Sequence, residues 1–125
     1  MILDTCAVLW LAEGNRKISG STRRKLEESA VLYLPAISGL EIARKVYDGR
    51  LQLPLPPGEW FRQVIQEYGL TELPIDLSIS LRAAGLPHLH DDPVDRLIIA
   101  AAMIHACEVV TSDERFAAYG VTTLI

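Results

Sequence analysis

Met1-Ile2-Leu3-Asp4-Thr5-Cys6-Ala7-Val8-Leu9-Trp10-Leu11-Ala12-Glu13 opens the chain, and its reading decides the fold. Three apolar residues stop abruptly at an acid, and a helix-forming stretch follows with no loop between. A short apolar run with no polar alternation is the mark of a strand buried on both faces, as in parallel sheets flanked by helices. The same punctuation recurs downstream. Further strand candidates are Val31–Leu34, Thr71–Ile75, Glu108–Thr111 and Val121–Leu124, which with Met1–Asp4 make five. Helical patterns fall at Thr5–Glu13, Ser21–Ser29, Ser38–Asp48, Gly58–Tyr68, Leu77–Ala84, Pro93–Ala106 and Asp113–Tyr119. Ile42, Ala43, Val46 and Tyr47 form a 3.6-residue stripe along one of them. Alternating strands and helices predict βαβ units. The expected architecture is an α/β three-layer sandwich around a mostly parallel five-stranded sheet, a single domain over residues 1–125. The proline-rich stretch Leu53–Pro57 reads as a connection between helices.

Composition agrees and excludes several classes. Of 125 residues 50% are hydrophobic and 22% charged, which is ordinary for a globular domain and unlike a disordered or fibrous chain. No apolar run approaches the roughly 18 residues of a membrane span, and Asp4 interrupts the first apolar run too early for a secretory signal. Cys6 and Cys107 lie in apolar surroundings and read as buried free thiols of a reducing compartment, so the cytoplasm is the expected location. Residues 1–62 hold nine basic and seven acidic side chains, whereas residues 63–125 hold three and nine. General basicity therefore cannot draw a polyanion to this chain, and any such partner requires local neutralisation of the acidic half.

The acidic residues sort by position. Ligands of an open parallel sheet bind at the carboxyl ends of its strands, beside the helix N-termini that follow. Asp4 ends the first strand and Asp113 the fourth, in Val109-Val110-Thr111-Ser112-Asp113. Glu41 lies one turn into the helix after the second strand, and Asp95 lies in the first turn of the helix opened by Asp92-Pro93. Each has a local structural explanation. Ser38-Gly39-Leu40-Glu41 has the form of a capping box, and Glu41 precedes Lys45 by four residues. Asp92-Pro93-Val94-Asp95 has the form of an N-cap, a proline at the first helical position and a favourable acid; Asp4 and Asp113 could each cap a helix. Local explanations do not account for the four converging on one sheet edge. Two carboxylates about 4 Å apart repel by on the order of 4 kcal/mol at an effective dielectric near 20. Such a cluster either keeps protons or holds a cation. Oxygen ligands suit Mg²⁺ or Mn²⁺, ions that also bind phosphate oxygens and activate water. The chemistry that follows is phosphodiester hydrolysis. Thr5, Thr111 and Ser112 are candidates to orient the acids, and Arg44, Lys45 and Arg96 are candidates to meet phosphates.

At this point four stretches match a known pattern. They are Ile2–Trp10, Pro35–Ala43, His90–Ala100 with its Asp92-Pro93-Val94-Asp95-Arg96, and Val110–Phe116 followed by Tyr119-Gly120-Val121. In order and spacing the chain resembles PIN-domain ribonucleases, specifically the VapC-like toxins of type II toxin–antitoxin pairs. The resemblance implies a Mg²⁺- or Mn²⁺-dependent endoribonuclease with Asp4, Glu41, Asp95 and Asp113 as metal-binding catalytic acids. It also implies a homodimer and a cognate antitoxin that covers the site. Asp91 departs from the pattern by replacing an arginine, and the first strand starts short. Two alternatives stand beside this reading. One is a catalytically idle PIN-like binding module. The other is a zinc hydrolase using His88, His90 and Asp92, whose usual closing histidine is replaced by Pro93.

Overall fold

The computed structural model describes all 125 residues. In chain order the elements are β1 (Ile2–Leu3), α1 (Thr5–Glu13), α2 (Gly20–Glu28), β2 (Leu32–Pro35), α3 (Ile37–Tyr47), α4 (Pro57–Tyr68), β3 (Leu70–Leu73), α5 (Leu77–Ala84), α6 (Pro93–His105), β4 (Val109–Val110) and β5 (Thr123–Leu124). The strands form one sheet in the order β3-β2-β1-β4-β5, and every pairing is parallel. The sheet is thus wholly parallel rather than mostly so. Its strands are also shorter than their apolar runs suggest, because β1 and β4 pair for only two residues each before the chain turns into the next segment.

Alternation of side chains across those short strands divides the core in two. Ile2 and Val109 face a cluster built with Ile79 and Ala83 of α5 and Ile98 to Ala102 of α6. Leu3 and Val110 face the opposite cluster, with Val8 of α1, Leu26 of α2, Ile42 of α3 and Trp60 and Val64 of α4. This is the three-layer sandwich, with four helices on one face and two on the other. Burying the two clusters provides the main driving force, at roughly 1.5–3 kcal/mol per large aliphatic or aromatic side chain removed from water. No helix is long and apolar enough to cross a membrane.

One local expectation fails for a physical reason, and one helix takes a tighter form. The capping box at Ser38–Glu41 does not form. Ala36 already has helical dihedrals, so α3 starts at Ile37 without a side-chain cap. Ser38 lies inside the first turn, fully buried, with its hydroxyl 3.0 Å from Thr5 Oγ1. The segment after β4 is helical as its pattern predicts, and it takes the tighter 3₁₀ form over Glu114–Tyr119. Cys6 is a further correction. It is exposed, and Cys107 is only half-buried, although both thiols are free as expected.

Candidate active site

The topology makes the site. From β1 the chain runs outward to β2 and β3, then crosses back through α5 and α6 to β4 on the other side of β1. The strand order therefore reverses between β1 and β4, and the crevice above such a reversal is where α/β sheets bind ligands. A cleft of about 450 Å³ opens there, lined by Asp4, Glu41, Lys45, Asp92, Asp95 and Asp113, among others. The four predicted acids converge on it from four separate elements.

Asp4, Asp95 and Asp113 are held at the ends of elements, and Glu41 lies one turn into α3. Asp4 caps α1, its Oδ1 accepting from the Ala7 N–H at 2.7 Å. It is only 6% exposed, and this burial, opposed by bonds from the Thr111 side chain and the Ala7 amide, pushes its pKa upward. The charges of Glu41 and Asp113 add to the same shift. Asp113 caps the 3₁₀ turn through Arg115 N–H, and its own N–H donates to Thr111 Oγ1 at 3.0 Å. Thr111 therefore lies beside both acids, at the ends of β1 and β4. Asp92 caps α6 by accepting from Val94 and Asp95, which leaves the Asp95 side chain free to face the cleft. Desolvation first, and the charge of Asp92 second, push the pKa of Asp95 up to about 6 despite the pull of His90. Glu41, released from any capping role, makes no ion pair with Lys45, and both line the cleft. The Thr5–Ser38 bond fixes α1 against α3 directly beneath them.

His90 was not among the predicted acids' partners, yet it joins two of them. Its side chain is 1% exposed, and Nε2 lies 2.9 Å from both Asp95 Oδ2 and Asp113 Oδ2. Nδ1 accepts from the Asp92 N–H at 3.1 Å, which puts the ring proton of the neutral imidazole on Nε2. His90 is thus a clamp that donates to the carboxylates. The His90, Asp95 and Asp113 donor atoms do lie within 4.8 Å of one another. In this tautomer, however, Nε2 has no lone pair for an ion, so a cation in the cleft would find carboxylate oxygens as its side-chain ligands. Desolvation, followed by the charge of Asp4, also raises the pKa of the Cys6 thiol. A hard, all-oxygen donor set fits Mg²⁺ or Mn²⁺ and does not suit zinc.

Residues 1–121 match the PIN domain family. This chain belongs to that family. It is 30% identical over 116 residues to Ribonuclease VapC22 of Mycobacterium tuberculosis (strain ATCC 25618 / H37Rv), covering 92% of this chain and 88% of that protein. Its fold is shared with the crystal structure of FitAcB from Neisseria gonorrhoeae, at TM-score 0.67 and 19% identity, with 99% and 96% of the two chains covered. It is also shared with a toxin–antitoxin complex from Klebsiella pneumoniae, at TM-score 0.67 and 22% identity, with 98% and 95% covered.

Within this PIN domain two sequence expectations are corrected. Arg96 does not face phosphate. It is 9% exposed, and its guanidinium donates to the carbonyls of Ala83, Leu86, Pro87 and His90 at 2.8–3.1 Å. It pins the α5–α6 connection and so holds His90 in place. The zinc triad fails as well, because both ring nitrogens of His90 are committed elsewhere and His88 does not line the acidic cleft. Arg44 is exposed on α3 outside the cleft lining, so Lys45 is the one predicted cation that the cleft includes. Thr5 and Ser112 also line it.

Proposed function

We propose that this chain is a Mg²⁺- or Mn²⁺-dependent endoribonuclease, the toxin of a type II toxin–antitoxin pair, with residues 1–125 as one catalytic domain. The observation that carries this reading is the meeting of Asp4, Glu41, Asp95 and Asp113 at the strand-order reversal of a PIN domain. Asp4, Asp95 and Asp113 hold the ion, directly or through water. A divalent cation there neutralises the acids, stabilises charge on the attacked phosphate and makes water a better nucleophile. Glu41 alone of the four has neither a cap nor an ion-pair partner, which suits it to take a proton from the attacking water. Lys45 offers positive charge to the phosphate from the turn after Glu41. Thr5, Thr111 and Ser112 orient the acids from around the cleft.

Two partners follow from the same reading. A toxin of this class works against a cognate antitoxin, and the likeness to a chain from a toxin–antitoxin complex supports that assignment. Homodimer formation is supported by large apolar side chains left exposed one turn apart on α5, Leu77 and Leu81. The test is cleavage of end-labelled total RNA with Mg²⁺ or Mn²⁺, beside an EDTA control and Asp4→Asn. Discrete products lost in both controls, with 5′-phosphate and 3′-hydroxyl ends, are expected. Ends carrying 2′,3′-cyclic phosphate overturn the mechanism, because they mean that the ribose hydroxyl attacked instead of water. Absence of cleavage with intact metal binding favours the binding-only PIN module.

A further inference from the structure

The side chain of Arg115 sits across one of the four acids in a way the ribonuclease reading does not use. Its Nε donates to Asp113 Oδ1 at 3.0 Å and its Nη2 to Asp113 Oδ2 at 2.9 Å, a two-pronged fork. Asp113 Oδ1 also accepts the Arg115 backbone N–H at 2.9 Å, and Oδ2 also lies 2.9 Å from His90 Nε2. A carboxylate offers about four lone-pair sites. Three of these are filled by Arg115, and the fourth faces the single Nε2 proton that His90 shares with Asp95, so Arg115 occupies most of what Asp113 could offer an ion.

Which donor leaves is decided by exposure. The backbone N–H belongs to the cap of the 3₁₀ turn, and the His90 side chain is 1% exposed between two acids. The Arg115 side chain is 60% exposed, so its head can exchange Asp113 for water or another anion at little cost. Once released it remains tethered at the mouth of the cleft, beside the place where an ion on Asp113 would meet a phosphate. Guanidinium is the side-chain group best matched to phosphate, which it can grip with two parallel N–H bonds. The chain also lacks such a group elsewhere in the site: Arg96 is spent on carbonyls, no arginine is among the residues lining the cleft, and the C-terminal half of the chain is strongly acidic. We propose that Arg115 is a two-position residue, closing the metal-ligand oxygens of Asp113 in the metal-free protein and contacting the RNA backbone phosphate once an ion displaces it.

This proposal rests on the ribonuclease reading and makes a pair of opposite predictions. Removing Arg115 opens Asp113 to the ion but removes a phosphate contact. Arg115→Ala and Arg115→Lys are compared with wild type and with Arg24→Ala, which removes an equal charge from an exposed position outside the cleft. The probes are Mn²⁺ alone, by calorimetric titration, and a fluorescein-labelled mixed-sequence single-stranded RNA in Ca²⁺, by anisotropy over a salt series. Arg115→Ala should bind Mn²⁺ about two- to five-fold more tightly than wild type, the range an exposed ion pair can contribute. It should bind RNA more weakly, with the slope of log affinity against log salt shallower by about 0.7, one single-strand phosphate contact. Arg115→Lys should fall between the two in both measurements, and Arg24→Ala should match wild type for Mn²⁺. Unchanged or weaker Mn²⁺ binding by Arg115→Ala overturns the competition. An unchanged RNA salt slope overturns the phosphate contact. Wild type that binds neither Mn²⁺ nor RNA overturns the ribonuclease reading itself, and the role of Arg115 with it.

Discussion

Replacing Asp95 by asparagine should make the metal-free protein more stable, although it removes a candidate ligand of the active site. Asp95 is drawn out of water and lies within the field of Asp92, Glu41 and Asp4, and its pKa rises from 3.8 to about 6. Its side chain is 22% exposed, so solvent screens it only partly. Below about pH 4 the carboxyl is protonated in the folded and the unfolded chain alike, and it costs nothing. Between about 4 and 6 the unfolded chain releases the proton while the folded chain retains it, so folding stability falls as pH rises through this window. Above about 6 the cost has reached its plateau. At about 1.4 kcal/mol per unit the full rise corresponds to about 3 kcal/mol. Asparagine imitates the protonated acid, and its carbonyl still accepts the proton of His90 Nε2. The helix cap is unaffected, because it uses the Asp95 backbone N–H and the Asp92 carboxylate.

The assay is urea unfolding of both proteins in EDTA from pH 3.5 to 8. The curves should coincide near pH 3.5 and separate through the window above, with Asp95→Asn ahead by about 1–3 kcal/mol at pH 7, the lower figure allowing for relaxation of the neighbouring acids. Saturating Mn²⁺ should then reverse the order, since an ion at 1,000 times its dissociation constant adds about 4.1 kcal/mol to a protein that binds it. A variant less stable than wild type at pH 7 in EDTA refutes the reasoning. So does a difference that stays constant with pH, because then the charge of Asp95 is not what strains the fold.

Two other residues carry structural predictions. Arg96→Met should cost at least about 3 kcal/mol in urea unfolding, because four carbonyls lose a charged donor in a buried place, and Arg96→Lys should recover only part of it. A loss under about 1 kcal/mol would mean that those carbonyls find other partners easily. Thr5→Val and Ser38→Ala should each cost about 1 kcal/mol and couple by about 0.5 kcal/mol or more in a double-mutant cycle, as two halves of one buried bond between α1 and α3. Simple additivity in equilibrium unfolding would show that the hydroxyls do not act together.

What could be read from the sequence was local. The strands announced themselves because runs such as Ile2-Leu3 and Val109-Val110 are apolar without alternation, and a parallel sheet covered on both faces is where such runs fit. Asp4, Asp92 and Asp113 stand where caps belong, and Leu77–Ala84 and Thr5–Glu13 form as their patterns predict. What escaped depends on contacts distant in sequence. Arg96 looks like a solvated helix charge until residues 83–90 curl round to aim four carbonyls at one point. Ser38 imitates an N-cap, but the helix starts earlier because the hydroxyl has a better partner 33 residues away. In the sequence His90 opens a family-like stretch and reads as a zinc ligand, not as a clamp on the acids. Its nearness to Asp92 in sequence could have revealed the Nδ1 bond, but not the carboxylate from 23 residues downstream.

The local explanation of the acids and the functional one prove to be compatible, and the geometry of capping explains why. A capping carboxylate stabilises a helix through one oxygen, and the backbone N–H groups it accepts favour its ionised form. The other oxygen is left outside the helix, at the carboxyl edge of the sheet, open to other partners. Asp4 and Asp113 follow this plan on neighbouring parallel strands, so the two elements that need capping bring two acids together without further design. The fold then has to bear the mutual repulsion, and it does so unevenly. Asp113 is held at about pH 2 by the Arg115 fork first and the Arg115 amide and His90 after it, whereas Asp95 and Asp4 are pushed upward by burial. Acids arranged this way are strained in proportion to their burial, and an ion that relieves the strain gains that energy as affinity. A substitution that relieves it chemically should therefore stabilise the empty protein and weaken its hold on the ion together. The two effects come from a single cause.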